Sequence, residues 1–307
     1  MGLRECVRAG SVAVAGLSLM AGGVGTVNAA EQSVQSLPRD VRALTWNICG
    51  ASWTACSDLS FGDRQAKIGE LVDWAKRDPR VSVVMLNESC GAYYGGYLRQ
   101  QLNRIGRGSW KVVHAQGKDI EKGTPFTCDA DPRKRKDAGI TIAMKRFRGG
   151  NPQQLPMTFP STGGRPEGTQ VAACIKDDPN RIVACAVHLP AGKYADQRAA
   201  STRSLHDQLK AWQDKGYRTI AGGDFNMEPD ADDIQPMYQD NFEADSDRKG
   251  WTHETDNGNR RKIDYVFFSD YGWDLLNGNP IYTGTPRYEA GRLSDHKIMQ
   301  GTVRVSP

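Results

Sequence analysis

The chain has 307 residues, of which 38% are hydrophobic and 25% charged, with a formal net charge of +4. Those proportions belong to an ordinary globular protein and exclude disordered, collagenous and low-complexity classes. The excess of positive charge is too small to define a partner, so function has to be read from where particular residues fall.

At the N-terminus, Arg4 and Arg8 precede an apolar, small-residue run from Ala9 to Val27 that closes on "VNAA". This is the pattern of a secretory signal cleaved after Ala29 or Ala30. The competing reading, a membrane anchor, is disfavoured because the run is glycine-rich and weakly hydrophobic, and no later stretch approaches spanning length. The expectation is therefore a signal at residues 1–30, a flexible N-terminus at 31–37 and one domain from 38 to 307, exported and monomeric, with no lasting membrane association. Losing Arg4, Arg8 and Glu5 takes the 40 basic and 36 acidic residues to 38 and 35. It also leaves six cysteines, Cys49, Cys56, Cys90, Cys128, Cys174 and Cys185, an even number that fits disulfides in an exported protein. No Cys-x-x-Cys pair points to a metal instead.

In chain order, strands are expected over 41–47, 81–87, 110–115, 139–145, 169–176, 181–188, 218–223, 263–268 and 298–305. One helix is marked by the stripe Ile68, Leu71, Val72 and Ala75, and another by Leu205, Leu209 and Trp212. Strands outnumber helices, and helices separate only some of them. That pattern argues for packed sheets with helices outside, not one doubly wound parallel sheet. The segment "QVAACIKDDPNRIVACAVHL" reads as two strands around a turn, placing Cys174 opposite Cys185. Cys49 and Cys56 would close a short loop, leaving Cys90 for Cys128.

Polar residues gather at the ends of these strands. "LTWNICG" ends a strand with Asn47, "VVMLNES" with Glu88, "CAVHLPAG" with His188 and "AGGDFN" with Asp224 and Asn226; "KIDYVFFS" begins one with Asp264, and "LSDHKIM" sets Asp295 and His296 before the last. Any one of these has an ordinary explanation: a turn-former for Asn47, a surface Glu88, a structural His188, a surface ion pair for Asp264 and His296. Their convergence on one sheet edge does not.

These segments, in this order, resemble the endonuclease/exonuclease/phosphatase superfamily, the fold of pancreatic-type deoxyribonuclease I. The resemblance implies an α/β fold, a four-layered sandwich of two packed, mainly antiparallel sheets flanked by helices, and divalent-metal-dependent cleavage of phosphoesters. It implies Glu88 as a metal ligand, with Asn47 and Asp295 beside it, and Mg2+, Mn2+ or Ca2+ as the ion, Mg2+ first, which suits oxygen donors. It implies that Asp224 orients or deprotonates the attacking water, that Asn226 fixes the water or the phosphate, and that His188 and His296 contact the phosphate. Asp264 would hold the tautomer of His296, and Asp137 is a candidate to orient His188. Two departures stand out: Cys49 occupies a position where some relatives carry an acid, and Asn87 one where Gln is common.

The basic runs Arg133, Lys134, Arg135, Lys136 and Arg260, Arg261 suit binding of a phosphate backbone. Trp251 and Thr252 precede the second run, and core packing is an equal reading of Trp251. The substrate expected is nucleic acid, DNA before RNA. A phospholipid phosphodiesterase or phosphatase is the alternative, and a non-catalytic binding module a further one. His114, His206 and His253 are expected to be structural.

Overall fold

The structure is a computed structural model that describes residues 37–51, 64–106, 108–129, 131, 133–255, 257–281 and 293–306. The signal segment and Cys56, with its pairing to Cys49, lie outside them.

In chain order the elements are β1 (Asp40–Asn47), α1 (Arg64–Arg77), β2 (Val81–Cys90), α2 (Gly96–Arg104), β3 (Trp110–Gln116), β4 (Ala138–Lys145), β5 (Gln153–Thr158), β6 (Val171–Asp177), β7 (Ile182–His188), α3 (Ala195–Gln213), β8 (Arg218–Asp224), β9 (Asn241–Glu243), β10 (His253–Glu254), β11 (Arg260–Arg261), β12 (Asp264–Ser269), β13 (Trp273–Ile281) and β14 (Ile298–Val305). A π turn at Gly91–Gly95 leads into α2, and a 3-10 turn at Asp232–Tyr238 follows β8. One six-stranded sheet runs β13-β14-β1-β2-β4-β3 and the other β5-β6-β7-β8-β12-β9, with β10 and β11 forming a small hairpin.

Three apolar layers hold the assembly together. Val83, Met85 and Ile142 of one sheet meet Ile175, Ala184 and Ile220 of the other in the central core. The outer face of the first sheet packs on α1 through Ile68, Leu71 and Val72, and on α2 through Leu98 and Leu102. The second sheet packs on α3 through Leu205, Leu209 and Trp212. The result is the four-layered sandwich the resemblance implies. Strands buried on both faces have no polar face to show, which is why β7 reads as an unbroken apolar run up to His188.

The sequence reading missed β5, β9 and β13, and all three are sheet edges. Pro156 sits within β5 and Pro280 within β13, a residue tolerated where no neighbour needs its missing N–H. Helix α2 buries only Leu98 and Leu102, too narrow a stripe to stand out in sequence. Cys174 and Cys185 are register partners with sulfurs at bonding distance, and so are the sulfurs of Cys90 and Cys128.

Candidate active site

Each sheet contains one parallel pair, β1 with β2 and β7 with β8, while the neighbouring β14 and β12 run antiparallel to them. Parallel strands finish at the same edge and an antiparallel neighbour starts there. Asn47, Glu88, His188 and Asp224 leave that edge, and Asp264 and His296 enter it. In the second sheet the register sets His188 opposite Asp224 and Asp224 opposite Asp264. Asn87 ties the two sheets together at this level: its Nδ2 donates to the Val187 carbonyl at 2.6 Å and its Oδ1 accepts from the Asp224 N–H at 2.8 Å.

Local backbone devices aim the side chains. Glu88 adopts φ 51° where the β2–β4 pairing slips, and Asn226 adopts φ 53° in the turn after β8, a conformation Asn tolerates better than most residues. Ser294 donates to the Asn47 carbonyl at 2.6 Å and accepts from the His296 N–H, pinning the last loop to the end of β1. Buried Lys67 reaches from α1 to the Ile48 and Cys49 carbonyls, fixing the chain just past Asn47.

The polar cluster is almost fully connected. His296 Nδ1 and Asp264 Oδ2 are 2.8 Å apart, and Asp224 Oδ2 lies 3.8 Å from His296 Nε2 and 3.7 Å from His188 Nε2. Burial works against charge on His296, but Asp264, backed by Asp224 and Asp295, overrides it and lifts the imidazole to about 10. Burial raises Asp224 to about 6, Asp264 adding to the effect and His296 opposing it. Burial lowers His188, with Glu88 pulling the other way. Burial also raises Glu88, although His188 and Asn47 favour its charge.

Four placements differ from the sequence-based roles, those of Asn47, Asn226, Asp137 and the run 133–136. Asn47 faces Glu88 and Asp224 with its amide nitrogen, at 3.0 and 3.2 Å, while its oxygen accepts from the Cys49 N–H. A donor repels a cation, so in this orientation Asn47 aligns carboxylates and does not ligate. Asn226 spends its amide on the Leu189 carbonyl at 2.8 Å, bracing the loop after His188. Asp137 is not the partner of His188; its carboxylate accepts from the Ala92 N–H at the head of the π turn. Among 133–136, Lys134 pairs with Asp129 and Arg135 with Asp131, and none of the four lines the cavity. Arg261 lines it but is paired with Glu228.

His253 was read as structural and is in the site. Its ring centroid lies 4.5 Å from that of His296, and its Nε2 lies 3.5 Å from Asp295 Oδ2. Burial works against charge on Asp295, yet the hydrogen bond from His253 and the charge of His296 hold it below the usual carboxylate range. No motif spacing marks His253; it arrives because Thr252 binds the Ile263 and Asp264 N–H groups through Oγ1 and the Lys297 N–H through its carbonyl. His114 and His206 are structural as expected, bound to Thr141 and to Asp240.

The donor set fits a divalent cation. Glu88 Oε2 is buried with no hydrogen-bond partner, and a buried carboxylate oxygen in that state calls for a cation. Asp295 is near enough to push Glu88 further toward protonation, so an ion between them would relieve both. Glu88 and Asp295 are thus the residues that would hold it, with hard oxygen donors of the kind Mg2+ and Ca2+ take.

A carboxylate cluster fit for a divalent ion, flanked by imidazoles at one end of a two-sheet sandwich, defines a metal-dependent phosphoester hydrolase. The sequence model of the Endonuclease/Exonuclease/phosphatase family matches residues 44–296, and the chain belongs to that family. No curated protein sequence matches it. Among solved structures it is similar to the human Nocturnin catalytic domain with bound sulfate, at 15% identity and TM-score 0.62, covering 87% of this chain and 94% of that one. It is also similar to humanized D. rerio TDP2, at 15% identity and TM-score 0.60 over 87% and 100% of the two chains. ANGEL2, described as a 2',3'-cyclic phosphatase, matches at 14% identity and TM-score 0.60 over 86% and 95%. At such identities the likeness is one of fold.

Proposed function

We propose that the protein is an exported nuclease that hydrolyses phosphodiester bonds in nucleic acid, DNA first, with Mg2+ as its ion. The observation that carries the reading is the row His188, Asp224, Asp264 with His296 closing on it, set against the partnerless oxygen of Glu88.

The bound cation would neutralise phosphate oxygens and so ease nucleophilic attack. Asp264 keeps His296 an imidazolium whose Nε2–H donates to a phosphate oxygen. Burial disfavours charge on His188, whose ring is a second N–H donor across Asp224. Asp224 is placed to orient a water and accept its proton, and a base near its own pKa does this best.

Nucleic acid is favoured over lipid by the surface. Trp251 carries Arg260 at 4.6 Å and Lys297 at 3.0 Å over its ring, a cationic aromatic platform adjoining His253 and His296 in sequence. Among the described residues only Tyr271 and Leu276 are exposed large hydrophobics, so those residues present no apolar face of the kind that enters a bilayer. Export is supported by the leader pattern and the two cysteine pairs.

The test is a panel of DNA, RNA, sphingomyelin and phosphomonoesters, with Mg2+, Mn2+, Ca2+ or chelator. Metal-dependent cleavage of nucleic acid is expected. Turnover of sphingomyelin or phosphomonoesters alone would overturn the reading.

A further inference from the structure

A cavity of about 490 Å³ opens from Glu88, His188, Asp224 and His296 toward the far wall of the cleft, within the range of sites that enclose small molecules. We propose that this extension is a subsite for one unpaired nucleoside of the substrate strand, with Lys118 as its specificity-determining cation. The proposal rests on the nucleic-acid reading above.

The walls are apolar. Ile120 and Phe126 come from the β3–β4 connection, Ile140 from β4, Val171 from the start of β6 and Leu189 from the end of β7. At one end the lining turns polar. Lys118 enters it without an ion pair among the described residues, whereas nearby cations are taken: Lys193 by Glu121, Arg165 by Asp196 and Arg261 by Glu228. The Lys118 ammonium lies 3.8 Å from where a Cβ on Gly168 would stand, so it spans to the loop that carries Thr169. Thr169 is 2% exposed and its Oγ1 has no hydrogen-bond partner. A buried hydroxyl left unpaired costs stability, and a ligand that completes it accounts for its retention.

The cavity lining is continuous from the two imidazoles to this extension, so a phosphate held by them would have room there for one substituent of the diester. A flat body with a polar edge satisfies it: apolar faces against Phe126 and Ile140, and acceptors toward Lys118 and Thr169. A nucleobase has that form. An acyl chain would match the walls and leave the ammonium and hydroxyl unanswered. A base stacked and paired in a duplex cannot enter without being extruded, and extrusion costs least from a single strand. A preference for unpaired strands follows.

The experiment measures steady-state kinetics with Mg2+ on a short single-stranded oligonucleotide, on the same strand annealed to its complement, and on bis(p-nitrophenyl) phosphate. We expect kcat/KM at least about tenfold higher on the single strand. Lys118→Met and Thr169→Val should each raise KM for that strand about five- to tenfold with kcat retained, the loss of one ligand hydrogen bond. Thr169→Val should also melt no lower than the wild type, since it deletes an unpaired hydroxyl. A purely structural threonine would instead change the melt and leave KM alone. Equal rates on single and double strands, or unchanged KM in both variants, would overturn the subsite and leave the nuclease standing. Hydrolysis of the aryl diester with neither oligonucleotide cut would overturn the nuclease reading itself.

Discussion

The two sheets deliver their residues to one edge by the same device and supply opposite halves of the chemistry. In the first sheet the parallel pair β1 and β2 ends on Asn47 and Glu88, a carboxylate with a partnerless oxygen on a left-handed backbone. In the second, β7 and β8 end on His188 and Asp224, continued by Asp264 and His296 into a chain of close contacts. The first half presents a buried carboxylate oxygen to a cation, and the second is linked by close contacts among its own charges, with Asp264 Oδ1 left without a hydrogen bond. Because Asn47 Nδ2 donates to both Glu88 and Asp224, and Asn87 spans the sheets, the halves are held in register although their needs differ.

Breaking the second half should cost most. His188→Ala and His296→Ala are each expected to lower kcat about 10²- to 10⁴-fold, the usual worth of one acid or base. If both act on one phosphate, the double variant should be little worse than the poorer single one. Multiplicative losses would show separate action. Circular dichroism should show the native spectrum for both, while His296→Ala, which leaves the buried Asp264 without its partner, should melt lower than the wild type.

Altering the first half should act through the ion. At a hundredfold excess over Kd a divalent cation stabilises the folded protein by about 2.7 kcal/mol, a rise of several degrees in melting temperature for a domain of this size. Glu88→Gln keeps the volume, removes the charge and should abolish most of that rise while demanding far more metal for activity. A variant with the wild-type metal response would take Glu88 out of the site.

The coupling between the halves can be read from pH. Asp224 is raised from 3.8 to about 6, first by burial and then by Asp264. An acid whose folded pKa is raised contributes its stability below its ordinary pKa and loses it as pH climbs to the folded value. With chelator present, stability should therefore fall between about pH 4 and 6, and Asp224→Asn should flatten that fall by about 3 kcal/mol. His296 behaves separately: raised to about 10, its contribution is complete below the ordinary 6.5 and is lost as pH rises through 10. Superimposable profiles for wild type and Asp224→Asn would mean that the burial of Asp224 carries no such penalty.

Much of this arrangement was legible in the sequence because apolar runs locate the strands and their last polar residue locates the edge. Asn47, Glu88, His188, Asp224, Asp264 and His296 all fell to that rule. It failed where placement is tertiary: His253 sits on a two-residue strand with no apolar run, and Lys118 and Thr169 lie on connections between strands. It also failed on side-chain direction. Whether Asn47 presents oxygen or nitrogen depends on the Cys49 N–H, and the partner of Asp137 depends on the π turn. The edge strands β5, β9 and β13 escaped it because proline and short length, which disqualify a central strand, are tolerated at an edge, whereas the edge strand β3 has neither and was legible.

The smallest expected effect separates the two basic regions. The run 133–136 looks like a phosphate clamp in sequence, yet Lys134 and Arg135 are engaged by Asp129 and Asp131, and the run lies off the cavity lining. Arg260, 3.6 Å from Glu254, and Lys297 flank Trp251 outside the cavity lining, but beside the segments that carry His253 and His296. Binding a polyanion releases counterions, so each phosphate contact adds about 0.7 to 0.9 to the slope of log affinity against log salt. Replacing Arg260 and Lys297 by Ala should reduce that slope by about one to two for nucleic acid. Replacing Arg133 and Lys136 should leave it unchanged and KM within about twofold. If the run at 133–136 governs the salt dependence instead, the substrate crosses the molecule on the side of β4, away from the aromatic platform, and the strand path inferred from Trp251 is wrong.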